Sequence, residues 1–232
     1  MQEAREIDGR RRFPFRPDNL SLATMGRSVV ISCSGNRMDW VTKQLSALDR
    51  DQSFSSRTVA LLNDFVGKEN QYMAGPDLRY LCSQDSLRKH ATPAGIEVAL
   101  LQSHEIRELY GKGSFPNAIG YSIDTPRPRL SAAVAKDGEQ IVGVAGASAD
   151  CDRMWQVGID VVPQYQGRGV GKCIVAALTS AILQKGKIPY YSTGTSNVRS
   201  QALAVSVGYW PAWTEMYARY YDEATQQATP AN

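Results

Sequence analysis

Val157-Gly158-Ile159-Asp160-Val161-Val162-Pro163-Gln164-Tyr165-Gln166-Gly167-Arg168-Gly169-Val170-Gly171-Lys172 is the stretch around which the chain is organised. Its first half is rich in β-branched residues, which favour a pleated, largely buried strand; Pro163, with no N–H to give to a ladder, ends it. From Val170 the apolar residues fall at Val170, Ile174, Ala177, Leu178, Ala181 and Ile182, the spacing of an amphipathic helix that Gly186 closes. Between strand and helix lie Gly167, Gly169 and Gly171. Inside a regular element each glycine costs roughly 0.5–1 kcal/mol relative to alanine, so the cluster needs a reason other than stability. Bare backbone lets an anion approach the unpaired N–H groups of the first helical turn, with the positive end of the helix dipole behind them. Arg168 and Lys172 add charge beside that cradle. A diphosphate is the ligand class this predicts.

The spacing then chooses among glycine-rich loops. A Walker-type loop needs Gly five residues before the Gly-Lys pair and a hydroxyl after the Lys, where this chain has Gln166 and Cys173. A dinucleotide fingerprint fails from either start, since it meets Ile174 or Lys172 where its last glycine belongs. The pattern that fits is Q/R-x-x-G-x-G/A, filled by Gln166, Gly169 and Gly171 behind the strand end Val161-Val162-Pro163. On these residues the chain resembles the GNAT superfamily of acyl-CoA-dependent N-acyltransferases, over about residues 95–221. The resemblance implies an α/β fold, an α+β mixed sheet of the GNAT acyltransferase type, with acetyl-CoA as acyl donor and an amine as acceptor. It also implies that backbone groups of Ile159 and Val161 hold the acyl carbonyl and pantetheine arm. The run Gln166, Gly167, Arg168, Gly169, Val170, Gly171 and Lys172 would hold the diphosphate. Asn197 matches the helix-start Asn that contacts the cofactor arm, and equally fits a simple N-cap.

Composition bounds the alternatives. The 232 residues are 43% hydrophobic and 21% charged, enough for one large or two small globular units. A net charge of +3, from 26 basic and 23 acidic residues, is too balanced to argue for nucleic acid. The one basic run, Arg10-Arg11-Arg12 with Arg16, reads as a solvated tail. Cys33, Cys82, Cys151 and Cys173 show no C-x-x-C spacing, and only His90 and His104 could assist, so neither a metal site nor a disulfide framework is expected. No apolar stretch approaches a membrane span and no secretory leader opens the chain; a cytoplasmic protein is expected.

Taken in order, residues 1–17 read as a mobile basic arm and 18–92 as a small α/β segment of unknown role. Residues 93–222 read as the acyltransferase unit, and 223–232 as a polar tail. In the N-terminal segment Ser28–Cys33 reads as a strand, Met38–Leu48 and Thr58–Val66 as helices, and Gly75-Pro76-Asp77 as a turn. Further on, Ile96–Leu101 reads as a strand and Ser103–Tyr110 as a helix capped by Ser103. Asp137-Gly138 marks a hairpin between Leu130–Ala135 and Gln140–Ala147. Ile188–Ser192 is a strand, a helix from Asn197 ends near Gly208, and Tyr209–Tyr221 supplies strand material. Phe115-Pro116-Asn117-Ala118, Ala145–Asp150, Trp155–Val161, Pro189–Thr193 and Pro211-Ala212-Trp213 with Glu215 are similar to a poorly characterised GNAT-like group with an extra N-terminal segment.

Acetylating an amine with a thioester needs a neutral amine, a polarised carbonyl, close placement of both, and a proton for the thiolate. Many GNAT enzymes carry a Tyr four residues before a Gly-aromatic pair as that proton donor. Counting back from Gly208-Tyr209, the place is held by Ala204. Hydroxyls nearby in sequence are Tyr190, Tyr191, Ser200 and Tyr209. Asp150, Asp160 and Glu215 are acids from which a base could be drawn. Two readings follow: an acetyl-CoA-dependent N-acetyltransferase of a small-molecule or protein amine, and a non-catalytic acyl-CoA-binding or sensor module, which Ala204 favours.

Overall fold

The computed structural model describes residues 1–11, 19–110, 115–120, 122–123 and 127–221. The N-terminal part contains β1 (Gln2–Glu3), β2 (Leu20–Thr24), β3 (Val29–Cys33), α1 (Met38–Leu45), α2 (Arg50–Ser53), α3 (Ser56–Val66) and β4 (Gln71–Leu81). After it come β5 (Ile96–Gln102), α4 (Ser103–Ile106), α5 (Pro116–Ile119), β6 (Arg129–Asp137), β7 (Gln140–Ala149) and β8 (Met154–Val161). The chain continues with α6 (Val170–Gln184), β9 (Ile188–Gly194), α7 (Val198–Val207) and β10 (Trp210–Tyr220). The expected polar tail, residues 223–232, lies outside the described residues, as do residues 12–17 of the arm.

The strands form one mixed sheet in the order β1-β3-β2-β10-β4-β9-β8-β7-β6-β5. Among the described strands only β1/β3 and β8/β9 pair in parallel. The β6–β7 hairpin closes at Gly138, whose φ of 54° suits the first turn position of a two-residue loop. β4, from the N-terminal segment, is not at an edge: it lies between β9 and β10, hydrogen-bonded to both. Gly75-Pro76-Asp77 is therefore not a turn. It is a kink inside β4 opposite a register shift at Glu215/Tyr217; Gly75 has φ 98°, and a Cβ there would come within 2.8 Å of Glu215 O. The cap of α4 also differs from expectation, because Gln102 rather than Ser103 fills it, reciprocally bonded with Glu105.

Alternation along the strands assigns the two faces. Val142, Ala145 and Val157 pack beneath α6 with Ile174 and Leu178, while Leu22, Ile31 and Met216 pack beneath α1 and α3 on the same side. The other side of β6 to β8 is covered by α4 and α5 through Ile106, Phe115, Ile119, Val134 and Val144. On that second side the amino-terminal run spans the sheet. Ala4 N–H donates to Cys33 O (2.7 Å) and Arg11 N–H donates to Asp150 O (2.8 Å), with Arg11 Nη2 on Asp152 Oδ1 at 2.5 Å. Between this strap and the sheet lie cavities of about 260 and 540 Å³, both touched by Ile7, Arg10 and Glu215.

Candidate active site

The glycine cradle sits where the chain turns from β8 into α6. Gly167 and Gly169 take φ values of 77° and 88°, a left-handed conformation that suits glycine, and nothing lies within 4 Å of a Cβ built on Gly167. Gly169 is the N-cap of α6, so the free N–H groups of the first helical turn follow it. Gly171 has a different job. A Cβ there would come within 2.9 Å of Leu203 Cδ1 and 3.3 Å of Ile159 Cδ1, so its bareness lets α6 close onto α7 and β8. Val170 is buried and belongs to the core. Gln166 Nε2 donates to Val161 O (3.0 Å), tying the loop to the strand end. Arg168 lies over the Tyr165 ring at 5.4 Å, and Tyr165 OH donates to Asp137 Oδ2 (2.8 Å), so a cation is held at the rim of the loop; Lys172 is exposed beside it.

Beside the cradle the sheet opens. β8 and β9 pair from Met154↔Ile188 to Val157↔Tyr191 and then part: Gly158 to Val161 keep their partners on β7, and Ser192 to Gly194 keep theirs on β4. Val162 N–H donates to Val142 O (2.9 Å), toward β7. Alternation then turns the main-chain groups of Ile159 and Val161 the other way, into the opening. These two residues thus present hydrogen-bonding groups that no neighbouring strand uses, except for Val161 O, which Gln166 occupies.

The acids drawn from the sequence fall on the strap side. Asp150 is buried and receives Arg127 Nε (2.7 Å), Ser148 Oγ (3.0 Å) and the Tyr190 hydroxyl. Glu215 receives Arg79 Nε (3.0 Å), Arg79 Nη2 (2.6 Å) and Trp213 Nε1 (2.8 Å). Both are committed to structural pairs, in which a removed partner would leave a buried charge. Sequence reasoning singled out neither Arg79, 1% exposed, nor Arg127. A lone arginine in a strand-like run carries no signal until its strand is known to be internal. Asp160, on β8 within the opening, clamps α5: Asn117 Nδ2 donates to Oδ1 (2.6 Å) and Ala118 N–H to Oδ2 (2.9 Å). Burial pushes its carboxyl above the usual range, against the lowering effect of those bonds.

The hydroxyls divide by face. Tyr190 points to Asp150 on the strap side. Tyr209 is buried against Thr179 (2.7 Å), its phenol pushed far up by desolvation. Tyr191 bonds Ser200 Oγ (2.8 Å) on the α7 side. Asn197 is the N-cap of α7, accepting from Ser200 N–H at 3.1 Å. Ala204, one turn beyond Ser200, is completely buried.

The GNAT acetyltransferase family model matches residues 132–217. A GCN5-related N-acetyltransferase from Kribbella flavida shares 18% identity at a TM-score of 0.50, over 68% of this chain and 62% of that one. A GCN5-related N-acetyltransferase-like protein from Streptococcus suis 89/1591 shares 16% at 0.52, over 87% of this chain and 84% of that one. A GCN5-related N-acetyltransferase from Sphaerobacter thermophilus shares 12% at 0.51, over 87% and 76%. At such identities the likeness is one of fold. No curated protein matches this chain. Among the described residues no helix is long and apolar enough to cross a membrane, and no group of three or more His, Cys, Asp or Glu is placed to hold a metal.

Proposed function

We propose that the chain is a GNAT-type acyltransferase, on the match of residues 132–217 to that family's model and the shared fold, and that it transfers an acetyl group from acetyl-CoA to a primary amine of a small molecule or protein. The observation that carries this reading is the pairing of the Gly167–Lys172 cradle with a sheet opening into which Ile159 turns its main-chain groups and Val161 its N–H. First-turn N–H groups suit a diphosphate, and Arg168 and Lys172 add cationic charge. The N–H of Ile159 suits a polarised acyl oxygen. The amine then approaches from the strap side, where the cavity of about 540 Å³ is of a size suited to a small ligand. On this reading residues 18–92 are part of the acceptor wall, through Arg79 of β4, and residues 7–10 form its roof.

The test is calorimetry with acetyl-CoA and with dephosphorylated pantetheine, on wild type and Gly169→Val, together with CoA release across an amine panel. A β-branched residue at φ 88° is strained. The free loop relieves about 1–3 kcal/mol of strain by leaving the cradle conformation, and restoring it on binding is expected to cost acetyl-CoA affinity roughly ten- to hundredfold. Equal binding of both ligands by both proteins would defeat the cradle. Removing Met1–Arg10 should raise the acceptor KM about tenfold, the mark of lost uniform binding, with acetyl-CoA affinity kept. An unchanged acceptor KM would show that the strap is no roof. Ala204 favours a second reading, a non-catalytic acyl-CoA-binding module; acetyl-CoA binding without CoA release from any amine would decide for it.

A further inference from the structure

Breaking a C–S bond leaves a thiolate that needs a proton, and the geometry of the opening offers one source. Tyr191 is the last residue of β9 still paired to β8, so it stands at the fork where the two strands part. Its ring packs at 5.8 Å from Tyr209 in the core beneath α6 and α7, and its phenol reaches the first turn of α7, where it meets Ser200 Oγ at 2.8 Å. Ser200 is only half-buried, whereas Tyr191 is 2% exposed. Spacing on the helix puts Asn197, Ser200 and Ala204 on one face. The Asn197 side chain holds Ser200 N–H, so the pair is pinned from the helix as well as from the strand. Neither hydroxyl is committed to a carboxylate by this contact, in contrast to Tyr190, and either can be the donor.

Resting on the acetyl-transfer reading, we propose that the Tyr191–Ser200 hydroxyl pair protonates the departing thiolate, with Ser200 as the group that touches sulfur and Tyr191 as the group that refills it. The amine nitrogen bonds to the carbonyl carbon, and the C–S electron pair leaves on sulfur. Ser200 passes its proton to that sulfur and takes the proton of Tyr191. The proton shed by the amine nitrogen enters solvent, and a proton returns from solvent to the phenol through the half-buried Ser200 hydroxyl, so no further reactant is needed. Burial pushes the Tyr191 phenol up, which keeps the pair in its protonated form between turnovers.

The experiment compares wild type, Ser200→Ala, Ser200→Thr and Tyr191→Phe by CoA release, acetyl-CoA calorimetry and melting temperature. Ser200→Ala and Tyr191→Phe are each expected to lower kcat about a hundredfold, the low end of general acid catalysis, with acetyl-CoA affinity kept. Ser200→Thr, which restores the hydroxyl, should recover most of the rate. Wild-type kcat in Ser200→Ala overturns the proposal. So does a loss that Ser200→Thr shares with Ser200→Ala, which marks a packing role. A wild type that releases no CoA with any amine defeats the acetyl-transfer reading itself, and this assignment with it; a wild type that turns over while Ser200→Ala keeps pace defeats the assignment alone.

Discussion

Gly158→Ala is expected to lower the melting temperature by roughly 6–12 °C, the shift that about 3 kcal/mol produces in a chain of this size. The cause is a contact between main chains. A Cβ at Gly158 would stand 1.9 Å from Asn117 O, and one at Gly146 would stand 2.1 Å from Ala118 O, so α5 rests directly on β7 and β8 through two bare positions. α5 cannot lift away cheaply, because Asp160 holds both Asn117 and the Ala118 N–H. Thermal unfolding of Gly158→Ala checks this. A shift under about 2 °C, less than 1 kcal/mol, would show that α5 is free to give way. Because α5 flanks the opening, the same variant should also lose whatever CoA release the proposed acetyl transfer gives the wild type, in its surviving folded fraction.

Ala204→Tyr should be the second large loss. The methyl of Ala204 is completely enclosed in the cluster that holds Val207 and Tyr209, and its carbonyl accepts the Tyr209 N–H at 3.0 Å. A phenol placed there must displace close-packed neighbours, which costs about 3 kcal/mol or more. The expected result is a melting temperature lowered by at least roughly 6 °C with no gain in CoA release. A stable Ala204→Tyr that releases CoA much faster would mean that the position points at sulfur after all. It would mark the wild type as a degenerate enzyme and remove the need for the Tyr191–Ser200 pair.

What was legible in the sequence was local. The strand before the cradle, α6, the Gly138 hairpin and the Asn197-to-Gly208 helix all follow from periodicity, caps and turn residues within short windows, and all lie where those signals put them. The opening was not legible. It exists because Tyr191 is the last β9 residue paired to β8, while β4 on the other edge of β9 keeps its pairing from Tyr190 through Gly194, both long-range events. β4 itself was obscured by Gly75 and Pro76, which read as a turn until their strand is seen to bulge around Glu215. β2, Leu-Ser-Leu-Ala-Thr, lacks the run of β-branched residues that marks β3 and does not read as a strand. For the site, the cradle residues were identifiable by spacing, but the separate duties of Gly169 and Gly171 needed the neighbours of each Cβ. The division of Asp150, Asp160 and Glu215 into clamps and salt-bridge partners depended on Arg127, Asn117 and Arg79, none of them adjacent in sequence.

The place of β4 between β9 and β10 also sets an order of events during synthesis. The ribosome makes β4 early, then β5, β6, β7, β8 and α6, before either of its two partner strands exists. Until then β4 has both edges open, in a nascent chain whose later half cannot complete its own sheet without it. Pairings of such long sequence separation slow folding, and unpaired edges invite association with other chains. The protein is therefore a poor substrate for early release: a message truncated after α6 leaves β4 with no partners, and the sheet closes between β2 and β4 only once β10 has been made.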